Sequence, residues 1–111
     1  MPVASAVMGL KSRRKGASFE LEVVHLLQAA GLDARKISGM YVPGPDVSCP
    51  VLGHDRKLEC KRRARAFGTL YGFLNGSYAV VIRDDRCEPM VVMKLEEWTR
   101  LALGKKIGEP F

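Results

Sequence analysis

The apolar residues Phe19, Val23, Leu26, Leu27 and Ala30 recur at the spacing of one helical face, and Gly31 closes the run. That period does not return until Phe67. Between the two stretches lie short extended pieces broken by glycine, proline and aspartate, so the chain must leave a helix for strands and then cover those strands again. Asp33–Ile37 reads as extended, Ser38-Gly39 as a break, and Tyr41–Pro45, with two prolines and a glycine, as a loop. Asp46–Cys49 reads as a strand, Pro50–Asp55 as a hairpin turn and Arg56–Lys61 as the returning strand. Ala64–Asn75 predicts a second helix with Phe67, Leu70, Tyr71 and Leu74 on one face. Tyr78–Arg83 is nearly all apolar, as for a strand covered on both faces. Cys87–Met93 is a further strand, with Pro89 marking an edge position or a late start. Leu95–Leu103 is a short amphipathic helix anchored by Trp98, Leu101 and Ala102. Residues 1–12 lack a period and read as a mobile basic arm, and residues 104–111 as a tail. The order α-β-β-β-α-β-β-α predicts an α/β (α+β) fold, a mixed central β-sheet flanked by helices.

The chain has 111 residues, 47% of them hydrophobic and 27% charged, which fits a single globular domain over 1–111. Its net charge of +6 is unevenly placed. Residues 1–66 hold 12 Lys/Arg against six Asp/Glu, whereas residues 67–111 hold six of each. A basic half of this kind points to a polyanionic partner, nucleic acid before membrane. No apolar run approaches the ~20 residues of a membrane span. The apolar start precedes the basic cluster Lys11–Lys15, the reverse of a secretory signal. Three cysteines, Cys49, Cys60 and Cys87, form no even framework, so reduced thiols and a cytoplasmic location are expected.

Glu20 breaks the apolar stripe. With Phe19 as zero and about 100° per residue, Val23 lies near 40°, Leu27 near 80°, Glu20 near 100° and Val24 near 140°. A carboxylate within such a stripe needs a cation or a hydrogen-bond network to meet it. In the returning strand, alternation turns Glu59 and Lys61 to one face and Leu58 and Cys60 to the other. Asp46 opens the neighbouring strand. Two carboxylates and an ammonium on one side of a hairpin suit a divalent cation such as Mg²⁺, which takes hard oxygen ligands. Such a cation lowers the pKa of a bound water and offsets charge growing on a phosphodiester.

The stretches RRKGASFE, GPD and LECK resemble the PD-(D/E)xK nuclease superfamily, and within it the archaeal-type Holliday-junction resolvases. The likeness covers roughly residues 12–103. It implies a restriction-endonuclease-like core and a Mg²⁺-dependent endodeoxyribonuclease, with Mn²⁺ as a substitute and no organic cofactor. The activity implied is paired symmetric nicking of four-way DNA junctions inside a prokaryotic or virus-infected cell. Other repair or restriction-type nucleases share the same core, and a non-catalytic DNA-binding module could retain it. The resemblance assigns Asp46 and Glu59 to the metal, with the carbonyl of Cys60 as a third ligand. Lys61 would position the attacking water, Glu20 would act through water or join the metal shell, and Ser38 would hold a phosphate. Cys60 stands where an aliphatic residue is usual.

The basic residues fit phosphate contacts that give affinity without reading sequence. Lys11, Arg13, Arg14 and Lys15 precede the Glu20 helix, and Arg62, Arg63 and Arg65 follow Lys61. Arg35, Lys36, Arg56 and Lys57 lie in the nearby strands. A zinc site from Cys49, His54, Cys60 and Cys87 lacks the paired spacing such sites use, and His25 falls on the solvent side of its helix. Phe73 stands about 100° off the Phe67/Leu70/Tyr71/Leu74 face, so this second helix is expected to meet another subunit. A two-fold homodimer also suits a substrate that needs two symmetric cuts.

Overall fold

The computed structural model describes residues 2–37, 44–106 and 109–111, and of residues 2–13 the backbone alone. The elements run α1 (Pro2–Ala30), β1 (Arg35–Lys36), β2 (Val47–Val51), β3 (His54–Leu58), α2 (Gly68–Leu74), β4 (Ala79–Ile82), β5 (Met90–Met93) and α3 (Leu95–Leu103). The mixed helix–strand class is as expected. Among the described residues, however, the strands form two small antiparallel sheets, β1-β2-β3 and β4-β5, where one mixed sheet was expected. The chain divides into two compact units, residues 1–62 with 110–111, and residues 63–109.

In the first unit α1 begins at Pro2 rather than near Arg14, so residues 2–12 are helical. Proline is tolerated in a first helical turn, and Ala4, Ala6, Met8, Leu10 and Lys11 favour helix without any amphipathic period. The buried arc of α1 is also displaced from the expected one. Val23, Val24 and Leu27 are buried while Leu26 is half exposed. The arc is therefore centred near Glu20, with Phe19 at its margin. Gly31, at φ +110°, ends the helix, and the Leu32 N–H donates to the Leu27 carbonyl at 3.0 Å.

β2 pairs β1 on one side and β3 on the other, with Lys36 opposite Val47, Arg35 opposite Ser48, and Val47 opposite Leu58. Val47 and Cys49 are fully buried, together with Leu27 and Ala34, and form the centre of this unit. The β2–β3 turn is tighter than the expected Pro50–Asp55. Only Leu52 and Gly53 lie between the strands, both at positive φ (51° and 81°). Two such residues give a turn whose twist matches that of the strands. Pro50 stays in the ladder opposite Asp55. It has no N–H to donate, but β1 pairs only Val47 and Ser48, so Pro50 lies beyond its end.

The second unit is more open. α2 spans seven residues, Gly68–Leu74, rather than starting at Ala64, and buries only Leu74. The expectation that β4 is covered on both faces fails: Val81 is 72% exposed, and no residue of β4 is fully buried. α3 runs over Leu95–Leu103 as expected, but its buried residues are Thr99 and Ala102, and Leu101 is exposed. Thr99 satisfies its hydroxyl by donating to the Leu95 carbonyl at 2.7 Å, which is why a polar residue serves there. Phe67, Leu70, Tyr71 and Leu74 line an open groove with Val92, Met93 and Leu95. At the end of the chain, the Arg100 guanidinium donates to the Glu109 carbonyl at 2.6 Å. Among the described residues no helix is long and apolar enough to cross a membrane.

Candidate functional site

The hairpin brings Asp46 beside the LECK stretch. The Asp46 N–H donates to the Leu58 carbonyl at 2.9 Å, extending the β2–β3 ladder by one bond. The Cys60 N–H then donates to the Asp46 Oδ2 at 2.7 Å. A backbone donor on an ionised acceptor is among the stronger neutral–charged hydrogen bonds. It ties the start of one strand to the chain leaving the other, across 14 residues of sequence. Glu59 and Lys61, one residue to either side of Cys60, pair at 3.2 Å and are both more than half exposed.

Glu20 meets the cation its position required. Its Oε2 lies 3.6 Å from the Nζ of Lys36, and its side chain is only 15% exposed. Lys36 reaches it because β1 places this residue on the α1 side of the sheet, in register with the buried Val47. The pairing was missed from the sequence, where Lys36 reads as a DNA contact. The available signal was alternation: Lys36 lies two residues from the fully buried Ala34 and so shares its face.

Each of the three expected acids is thus engaged by a different nitrogen: Asp46 by the Cys60 amide, Glu59 by Lys61, Glu20 by Lys36. They nonetheless bear on one point. The Cys60 thiol is pushed up to about 11, first by burial and then by the negative charges of Asp46, Glu20 and Glu59. Among the described residues, no group of three or more His, Cys, Asp or Glu side chains is arranged to hold a metal ion. Carboxylate oxygens are the kind of donor Mg²⁺ takes, usually one or two from protein with waters completing the shell. Asp46 and Glu59 therefore fit such an ion in kind, though the set is not drawn together into a cage.

The remaining expected residues are dispersed. Ser38 lies outside the described residues, and so do the side chains of Lys11 and Arg13. Arg14, Arg56, Arg62, Arg63 and Arg65 are exposed and Lys15 is partly so. Arg35 pairs with Asp33 at 3.2 Å on the open surface. Lys57 pairs with Asp55, which also accepts from the Ser48 hydroxyl. These two bonds hold the Asp55 carboxyl below its ordinary range. Cys49 is buried in the core, which raises its thiol, and Cys87 is exposed. His25 is exposed.

No family model, curated protein or solved structure matches this chain.

Proposed function

We propose that the chain is a Mg²⁺-dependent, structure-selective endodeoxyribonuclease of the PD-(D/E)xK kind, acting as a Holliday-junction resolvase inside the cell. The observation that carries this reading is the Asp46–Cys60 hydrogen bond, which sets the aspartate of the PD pair against the strand exit bearing Glu59 and Lys61. A module that only bound DNA would have no use for carboxylates there, since without a cation they repel phosphates. When bound, Mg²⁺ supplies positive charge against that developing on the phosphodiester. Asp46 and Glu59 would hold it, with the Cys60 carbonyl as a third ligand. Lys61, already within 3.2 Å of Glu59, orients the water that attacks phosphorus. The exposed arginines Arg14, Arg56, Arg62, Arg63 and Arg65 meet the phosphates of the arms. The reading takes residues 1–111 as one nuclease domain with a restriction-endonuclease-like core. It also places a second copy of the chain on α2, where Tyr71 is 74% and Phe73 58% exposed.

The test is cleavage of four-way junctions, flaps and linear duplex with Mg²⁺, with Mn²⁺ and with EDTA. Symmetric nicks confined to the junction and abolished by EDTA support the resolvase. Cutting of every substrate supports a repair-type nuclease, and binding without cutting supports a DNA-binding module. Asp46→Asn is expected to lower cleavage by more than about a hundredfold, the upper range seen for losing a ligand's supporting partner alone, while junction binding is kept or tightened.

A further inference from the structure

Three polar residues share one row across the first sheet. Arg35 lies opposite Ser48, and Ser48 opposite Lys57, so the row crosses β1, β2 and β3. Val47 and Cys49, to either side of Ser48 on β2, are fully buried, which by alternation turns Ser48 to the outer face of the sheet. The Ser48 hydroxyl and the Lys57 ammonium both donate to the carboxylate of Asp55. We propose that Ser48 and Lys57, flanked by Arg35, form a binding site for a phosphate of the DNA backbone, and that this phosphate displaces the Asp55 carboxylate from it. The site deepens the nuclease reading and rests on it, since that reading makes the polyanion DNA.

A phosphate oxygen accepts from the same donors as a carboxylate oxygen, and serine hydroxyls and lysine ammoniums are both common phosphate contacts. These two already converge on one anionic acceptor, so the donors are arranged before their ligand arrives. The internal acceptor is readily exchanged. The Asp55 side chain is 54% exposed and that of Lys57 47%, so the carboxylate passes directly to water. An ion pair this open contributes little. On the other side of Ser48, Arg35 pairs with Asp33 at 3.2 Å, in a contact more open still. Neighbouring strands lie about 4.8 Å apart, so the Arg35 and Lys57 backbones stand roughly 10 Å apart, within reach of two long side chains that meet one phosphate between them. DNA also has an advantage that the carboxylate lacks: each phosphate neutralised by a cation releases a condensed counterion, which favours binding more strongly as salt falls.

The experiment is fluorescence anisotropy of a labelled four-way junction titrated with the full chain in EDTA, over a salt series, with thermal melts to establish folding. Asp55→Asn leaves the ammonium to phosphate. It is expected to tighten binding on the order of fivefold at about 0.1 M salt and to steepen the slope of log binding constant against log salt by up to about 0.9. Lys57→Gln and Ser48→Ala should each weaken binding by the parent on the order of threefold. The gain from Asp55→Asn should vanish once Lys57→Gln is added. Glu22→Gln makes the same change of net charge at an exposed position of α1 and should leave affinity and slope as in the parent. An equal gain from Glu22→Gln overturns the proposal, because net charge alone then accounts for it. So does a gain that survives Lys57→Gln, or a folded Asp55→Asn that binds no more tightly than the parent. Should Asp55→Asn not fold, Lys57→Gln and Ser48→Ala decide, and parent affinity in either overturns the proposal. A parent that binds no junction DNA sinks the nuclease reading and the site with it. A parent that binds, with Asp55→Asn and Lys57→Gln indistinguishable from it, sinks the phosphate site alone.

Discussion

The two compact units solve the same problem with unequal means. Among the described residues, Val23, Val24, Leu27, Leu32, Ala34, Val47 and Cys49 are buried in the first unit, and only Leu74, Thr99 and Ala102 in the second. The first lays a long helix on a three-stranded sheet, so both elements have an inner face. The second has a two-stranded sheet and two short helices, and leaves Tyr71, Phe73, Tyr78, Val81, Met90 and Val91 exposed. A two-stranded ribbon alone is marginal in water and gains its stability from what packs on it. The first unit, with ten Lys/Arg against six Asp/Glu, thus carries both the larger positive excess and the larger core, and the second, with eight against six, carries more of the uncovered apolar surface. The carboxylates of Glu20, Asp46 and Glu59 all lie in the unit with the larger core.

The largest expected effect tests the difference in core directly. Leu27→Ala, at a fully buried position, should cost about 2–5 kcal/mol in a urea melt. Val81→Ala, at a position 72% exposed, should cost no more than about 0.5 kcal/mol. Equal losses would break the comparison. Next is the charge asymmetry. Replacing Arg14 or Arg56 by Gln should reduce the slope of log binding constant against log salt by about 0.9 for each phosphate contact removed. Arg83→Gln and Arg86→Gln should leave it unchanged, and an equal effect from the second half would end the assignment of the DNA surface to the first. A smaller effect is expected at the hairpin. Leu52 holds φ at 51°, a conformation that costs an ordinary L-residue about 1–2 kcal/mol. Asparagine tolerates it better, so Leu52→Asn should raise stability by up to about 1 kcal/mol; a loss would mean that the exposed leucine has a packing partner.

The smallest effect concerns the thiols. With the folded pKa of Cys60 at about 11, the folded state keeps a proton that the unfolded chain releases in the ordinary thiol range. That contribution to stability is fully present below the ordinary range and is lost as pH rises through about 11. Alkylation at pH 8 should therefore modify the exposed Cys87 first, with Cys60 reacting only toward a midpoint near pH 11. Rapid labelling of Cys60 at pH 8 would mean that the thiol is neither buried nor under the negative charge of Asp46, Glu20 and Glu59.

Much of the local structure was legible because its causes are local. Gly31 ends α1, Leu95–Leu103 is helical from end to end, and the Asp46 and Cys60 neighbourhoods lie on adjoining strands, all from spacing and turn residues. The helical start at Pro2 was not legible by period, because propensity alone sustains that stretch. The turn at Leu52-Gly53 was hidden for a related reason: a leucine at positive φ is a choice no turn rule favours.

By itself, the sequence determined that a helix with an acid in its stripe precedes a hairpin carrying Asp46, Glu59 and Lys61, and that the positive charge sits with them. Tertiary structure alone decided which lysine meets Glu20, how the strands divide into two sheets, and which face of α1 is buried. Those outcomes depend on register and on contacts between segments far apart in the chain, where a shift of one residue reverses every side chain. No local pattern encodes that.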